Sequence, residues 1–250
     1  MTKILLKRRA GLFLCLCLSF LPCPGNVFCG EKEELDEILR LDSQLIQSIE
    51  KNEIKDKSQA LNGLVGRYRQ FLRKYPRNVE ARNYLGGLYY DIGMPDKAFR
   101  EWSAGLRINP DNPYLHNNIS EYYAHTKGEP ARAIAEVKKA IALKDDVAVF
   151  HFNLANYYDL FRFTALSDFK SLGKVFEECV KEYRKAVELD PANFDFAFVY
   201  AATLTYSPKI WGVEDSSSSQ EKIAAWERSL VLVSDTARKE LIEKILSRLR

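Results

Sequence analysis

Outside the first thirty residues, the side chains best suited to metal binding or nucleophilic attack are His116, His125, His151 and Cys179. A metal centre carried by a helix takes ligands one turn apart, because positions i and i+4 project from one face. No two of these histidines have that spacing, and no second cysteine stands near Cys179. No metal and no cofactor is therefore expected. Gly63-Leu64-Val65-Gly66 lies inside a helical apolar pattern and lacks the glycine and lysine spacing of a phosphate loop. Neither G-x-S-x-G nor H-E-x-x-H occurs. The carboxylate pairs Asp145-Asp146 and Glu214-Asp215 fall in predicted turns, where solvation accounts for them better than acid–base work does. Cys179 occupies a small-residue place on a helical pattern and reads as buried filler. No catalytic residue is assigned, and the chain is read as not an enzyme.

The elements that would hold these residues follow from composition. The 250 residues are 46% hydrophobic and 28% charged, enough apolar material for a packed core. Residues 1–30 read as a secretory signal peptide: Lys3, Lys7, Arg8 and Arg9 precede an apolar run from Ala10 to Leu21, which ends at Pro22, Pro24 and Gly25. That run is shorter than the roughly 20 residues needed to span a bilayer. Four of the five cysteines (Cys15, Cys17, Cys23 and Cys29) lie in this leader, so the exported chain would keep Cys179 alone and fold without an internal disulfide. Membrane attachment is expected only through an uncleaved leader or a lipid on Cys23 or Cys29. Once the four leader cations are set aside, the 37 basic residues fall to 33 against 34 acidic. A near-neutral body argues against nucleic acid as a partner, since phosphate binding needs clustered cations. The expected location is the periplasm or cell envelope, with secretion as the alternative.

From Glu31 onward the apolar spacing is helical, and it repeats. Leu85-Gly86 precedes Tyr89 by three residues, and Ala98, Trp102, Leu106 and Asn109-Pro110 follow. Ile119-Ser120, Tyr123, Ala133, Val137 and Ala140 recur in the next stretch. Leu154-Ala155, Tyr158, Cys179, Tyr183, Ala186 and Asp190-Pro191 recur in the third. Small residues let two antiparallel helices approach, and large ones fill the space beside them. This pattern resembles the tetratricopeptide repeat family. The match is strongest over 79–112, although Arg82 stands where the family favours tryptophan; His116 and His151 hold the same place in the next two units. The resemblance implies an all-α solenoid: a right-handed superhelix of about five antiparallel helix pairs, over 33–78, 79–112, 113–145, 146–193 and 194–234. Residues 235–250 are expected to form a capping helix, with Asp235 at its start. Leu160–Leu172, with Phe161, Phe163 and Phe169, interrupts the repeat and reads as partner contact or local packing. Ser207–Gln220, with Pro208, Trp211 and a serine run, reads as a second, looser insertion.

The resemblance further implies where a ligand binds. In this family the first helix of each unit lines the concave groove. The corresponding places here are Glu80, Asn83, Tyr90 and Asp91 in one unit, and Tyr114, Asn117, Glu121 and His125 in the next. The third contributes Phe152, Asn156 and Asp159, and the fourth Asp195, Phe198, Thr205 and Tyr206. The set holds five carboxylates and neither Lys nor Arg. Some family members grip a peptide's terminal carboxylate with paired Lys, Arg and Asn. Asn83 and Asn118 are present, but the basic partners are missing. The expected role is an exported, non-catalytic adaptor whose groove takes a protein or peptide segment that is neutral or basic. The alternative is a structural subunit of an envelope, pilus or secretion assembly machinery.

Overall fold

The structure, a computed structural model, describes residues 28–250. The leader read over 1–30 therefore lies outside the described residues, save its last three. All regular structure among the described residues is helical. In chain order the α-helices are α1 (Phe28–Glu50), α2 (Lys57–Lys74), α3 (Val79–Asp91), α4 (Pro95–Ile108), α5 (Pro113–Tyr122), α6 (Pro130–Leu143), α7 (Ala148–Leu160), α8 (Arg162–Ala165), α9 (Leu172–Leu189), α10 (Phe194–Trp211), α11 (Ser219–Leu232) and α12 (Thr236–Leu249). The chain divides into two compact units, one ending at Asp111 and the other running from Asn112 to Arg250. In the first, α1 packs on α2, α2 on α3 and α3 on α4. In the second, the pairs α5/α6, α7/α9 and α10/α11 follow one another, and α12 packs on α11.

Local chemistry sets the helix ends. Asn78, Asn112 and Asn193 each cap a first helix, their side-chain oxygens accepting from the backbone N–H of Ala81, Leu115 and Phe196. Pro95, Pro113 and Pro130 open helices in the first turn, where a missing N–H costs nothing. Asp235 caps α12 by accepting from Arg238 N–H at 2.8 Å. Gly128 ends the α5 segment in the left-handed conformation, φ 65°. Just before it, Tyr123–Lys127 forms one π-helical turn. The first helix here runs one residue longer before its partner's proline than in the preceding hairpin, and a π-turn is the way a helix absorbs a single extra residue.

Packing explains the small residues. A methyl group on Gly86 would sit 2.2 Å from Trp102 Nε1, so the indole lies directly on the α3 backbone. That nitrogen donates to the Asn83 carbonyl at 3.2 Å. Ala98, Ala133, Cys179 and Ala186 are fully buried, as are the large Tyr68, Leu88, Val137 and Tyr183 or nearly so. Cys179 donates its Sγ–H to the Ala155 carbonyl at 3.3 Å, and burial pushes its thiol well above the ordinary value. It fills space and is not an activated nucleophile.

The first interruption is local packing, one of the two alternatives read for it, and the second is partly helix. Residues 162–168 form α8 and a 3-10 turn, with Ala165 buried and Phe161, Leu166 and Phe169 packed on the core of the second unit. Phe163 alone of the three phenylalanines points outward, 70% exposed. The Ser207–Gln220 insertion begins as helix: α10 continues through Pro208 to Trp211 and stops at Gly212, φ 67°. The missing Pro208 N–H is offset by what the extension carries. Trp211 packs edge-on to Phe176 at 5.3 Å and donates to Asp159 Oδ1 at 3.0 Å.

Candidate functional site

Two sets of side chains carry the polar chemistry of the fold, one between the helices of each hairpin and one along the first helices. Within the hairpins a basic side chain on the first helix meets a glutamate on the second. Arg82 Nη1 lies 2.7 Å from Glu101 Oε2, and His116 Nδ1 lies 2.6 Å from Glu136 Oε2. His151 Nδ1 lies 2.5 Å from Glu182 Oε2. Both histidines are buried. His151 also places Nε2 2.8 Å from the Asp145 carbonyl. Both ring nitrogens thus face acceptors, so both donate, and the ring is held as the imidazolium. Burial opposes that charge, yet the Glu182 and Asp145 bonds outweigh it and raise the pKa above the ordinary histidine value. The His116 bond, against the opposing effect of burial and with help from Lys139, holds the Glu136 carboxyl below its ordinary range. These pairs fasten hairpins; they leave no nitrogen of His151 for a metal or a substrate. Sequence reading missed the three glutamates. Their signal was nonetheless present: each stands three residues after the small residue Ala98, Ala133 or Cys179.

The residues assigned to ligand binding lie on the first helices. In the second unit α5, α7 and α10 are joined side to side. Buried Asn153 donates from Nδ2 to Asn117 Oδ1 at 2.9 Å and to Glu121 Oε1 at 3.1 Å, bridging α7 to α5. Phe152 stacks on Phe196 at 4.4 Å and Trp211 donates to Asp159, bridging α10 to α7. Tyr114 meets Phe150 edge-on. Asn156 Oδ1 accepts from Tyr183 at 2.7 Å, and Thr205 Oγ1 accepts from Trp226 at 2.9 Å. Phe198 packs on Trp226. Tyr206 is 46% exposed, and His125 is exposed beside the Tyr157 ring. Asp195 is exposed, 4.0 Å from Arg238. Asn117 is itself buried, so of that residue the surface keeps little.

In the first unit, Glu80, Asn83, Tyr90 and Asp91 sit on α3. Glu80 is exposed and the other three are half-buried, with Tyr90 5.7 Å from the Trp102 ring.

Charge differs by helix in the second unit. On α5, α7 and α10 the carboxylates are Glu121, Asp159 and Asp195, Lys209 stands in the last turn of α10, and the buried His116 and His151 turn into their hairpins. The second helices α6, α9 and α11 carry both signs in near balance, nine Lys and Arg against seven Glu. The first-helix face therefore offers exposed aromatic edges, amides and carboxylates. Such a lining can hydrogen-bond an extended backbone and attract cations; it presents no nucleophile beside a base. Among the described residues no cluster of three or more His, Cys, Asp or Glu is placed to hold a metal ion, and no helix is long and apolar enough to cross a membrane.

No protein-family model matches this sequence, and no curated protein does. Solved structures do resemble it. PilF of Pseudomonas aeruginosa aligns over 88% of this chain and 86% of its own at a TM-score of 0.63 and 14% identity. PilW, described as a widely conserved type IV pilus biogenesis factor, aligns over 85% of each chain at 0.59 and 14% identity. YrrB, described as a tetratricopeptide-repeat protein with an unusual peptide-binding site, aligns over 88% of this chain and 98% of its own at 0.50 and 14% identity. With these likenesses and its own helical hairpins, the chain has the fold of the tetratricopeptide-repeat proteins.

Proposed function

We propose that the protein is an exported, non-catalytic adaptor that holds an extended segment of another protein along the first helices of its hairpins. The observation that carries this reading is the first-helix face of the second unit, where Glu121, Asp159 and Asp195 stand among amides and aromatics with Lys209 as the one Lys or Arg on those helices. A face of one sign steers oppositely charged partners and disfavours like-charged ones. Its ligand is accordingly a neutral or basic segment. Glu121 and Asp159 attract cationic side chains, and the exposed edges of His125 and Tyr206 give apolar contact. Similarity to YrrB, whose description includes a peptide-binding site, supports the same class of partner. The export step rests on the basic and apolar leader at Lys3–Leu21.

A peptide array probed with the purified protein tests this. Basic and neutral extended peptides should be retained, and raising the salt to about 0.5 M should weaken the basic ones most, since exposed charges are then screened within about 4 Å. Preferential retention of acidic peptides, insensitive to salt, would overturn it.

The second reading, a subunit of a pilus or envelope assembly, is favoured by the likeness to PilF and PilW. In that case the bonding surface is the second helices or the two insertions, and the purified protein retains no peptide class on the array.

A further inference from the structure

The bridge between a basic side chain and a glutamate that fastens the hairpins of α3/α4, α5/α6 and α7/α9 is absent from α10/α11. On the first helices Arg82, His116 and His151 each stand three residues before Leu85, Ile119 and Leu154; the matching place before Tyr200 is Ala197. On the second helices Glu101, Glu136 and Glu182 each precede Trp102, Val137 and Tyr183; the matching place before Trp226 is Ala225. Two alanines thus replace two long side chains, and a cavity of about 270 Å³ opens there. Val187, Ala197 and Ala225 give it an apolar lining.

Its rim is polar and carries a net positive charge. Tyr200 donates to Glu221 Oε1 at 2.9 Å, and Arg184 donates from Nε to the Tyr200 oxygen at 3.1 Å and from Nη2 to Glu221 Oε1 at 2.8 Å. These three groups satisfy one another and cancel in charge. Arg228, on the same rim, has no ion pair among the described residues. Thus one uncompensated guanidinium overlooks a small apolar hollow.

We propose that this cavity, distinct from the first-helix face, binds an aliphatic carboxylate, either a free acid or the carboxyl end of a chain with an apolar last residue. The carboxylate pairs with Arg228, whose planar fork matches it. The hydrocarbon covers Ala197, Ala225 and Val187. A single unmatched positive charge suits a monoanion. The apolar lining requires that the rest of the ligand be apolar, because a buried polar group there would find no partner.

Titration of the purified protein with 4-methylpentanoate, followed by amide chemical shifts, tests the site. Saturable shifts should centre on Ala197, Tyr200, Ala225 and Arg228. The uncharged 4-methylpentanamide and the exposed substitution Arg228→Gln should each weaken binding about tenfold, the loss of one charge-assisted contact. The paired change Ala197→His with Ala225→Glu rebuilds the bridge of the third hairpin, fills the cavity and should abolish binding while the fold is kept. A peptide ending in a free leucine, beside its C-terminal amide, separates the sources. At least tenfold tighter binding of the free-ended peptide than of 4-methylpentanoate assigns the site to a chain terminus, and parity assigns it to a free acid. Equal binding of acid and amide, indifference to Arg228→Gln, or no saturable shift at these residues would overturn the proposal.

Discussion

At the scale of the residue, the buried imidazolium of His151 makes the sharpest statement. Its two acceptors fix it as a cation, and its neighbours are Glu182 and Lys185 on α9 and the Asp145 carbonyl in the preceding turn. Because its pKa is raised in the folded chain, the stability it contributes is complete below the ordinary histidine value of about 6.5 and drains away as pH climbs through the higher folded value. His151→Ala should cost about 2–4 kcal/mol at pH 6, since it strands a largely but not fully buried carboxylate. His151→Phe with Glu182→Leu should be close to neutral, because apolar groups of similar volume commonly replace a buried pair without loss. Melting temperatures between pH 5 and 9 check both. The wild type should lose stability relative to the double variant as pH rises, and parallel curves would show that His151 is not held charged. Position 151 was legible as a place shared with Arg82 and His116. Its partner was not, because Glu182 lies thirty-one residues away and a solvated glutamate on an amphipathic helix looks the same in sequence.

At the scale of the element, the hairpins were readable because close packing restricts residue size. Gly86 under Trp102 is a contact that only glycine allows. The candidate ligand face was readable in part. The helices that carry it were assigned, but Asn117, Asn156, Asp159 and Thr205 prove to bind neighbouring helices with one atom each, through Asn153, Tyr183, Trp211 and Trp226. Those partners come from other helices, and local spacing carries no record of them. The interruptions were the least legible. The Ser207–Gln220 stretch read as an insertion, whereas the packing of Trp211 on Phe176 and Asp159 sustains helix through Pro208 to Trp211. The 161–169 segment is predicted to be structural apart from one side chain. Replacing it with an equally long Gly/Ser stretch removes the apolar contacts of Phe161, Ala165 and Phe169. At about 1.5–3 kcal/mol for each large side chain, that is a sizeable part of a total stability of about 5–15 kcal/mol. The variant should melt at a much lower temperature or fail to fold. Phe163→Ser should change stability by less than about 0.5 kcal/mol, as an exposed substitution does. An unchanged melting temperature in the Gly/Ser variant would show that the segment is a surface appendage.

At the scale of the whole molecule, the hairpins of the second unit bury their inner faces in one shared core. The first helices of that unit carry carboxylates, amides and aromatic edges, and the proposed adaptor role assigns the partner segment to them. The most direct measurement places the photoreactive residue p-benzoylphenylalanine at single exposed positions: His125 or Tyr206 on the first helices, Lys139 or Lys181 on the second. Each protein is irradiated with a basic peptide selected on the array. The peptide should attach through positions 125 and 206 and not through 139 or 181. Attachment through 139 and 181 alone would place the partner on the opposite face and contradict the account.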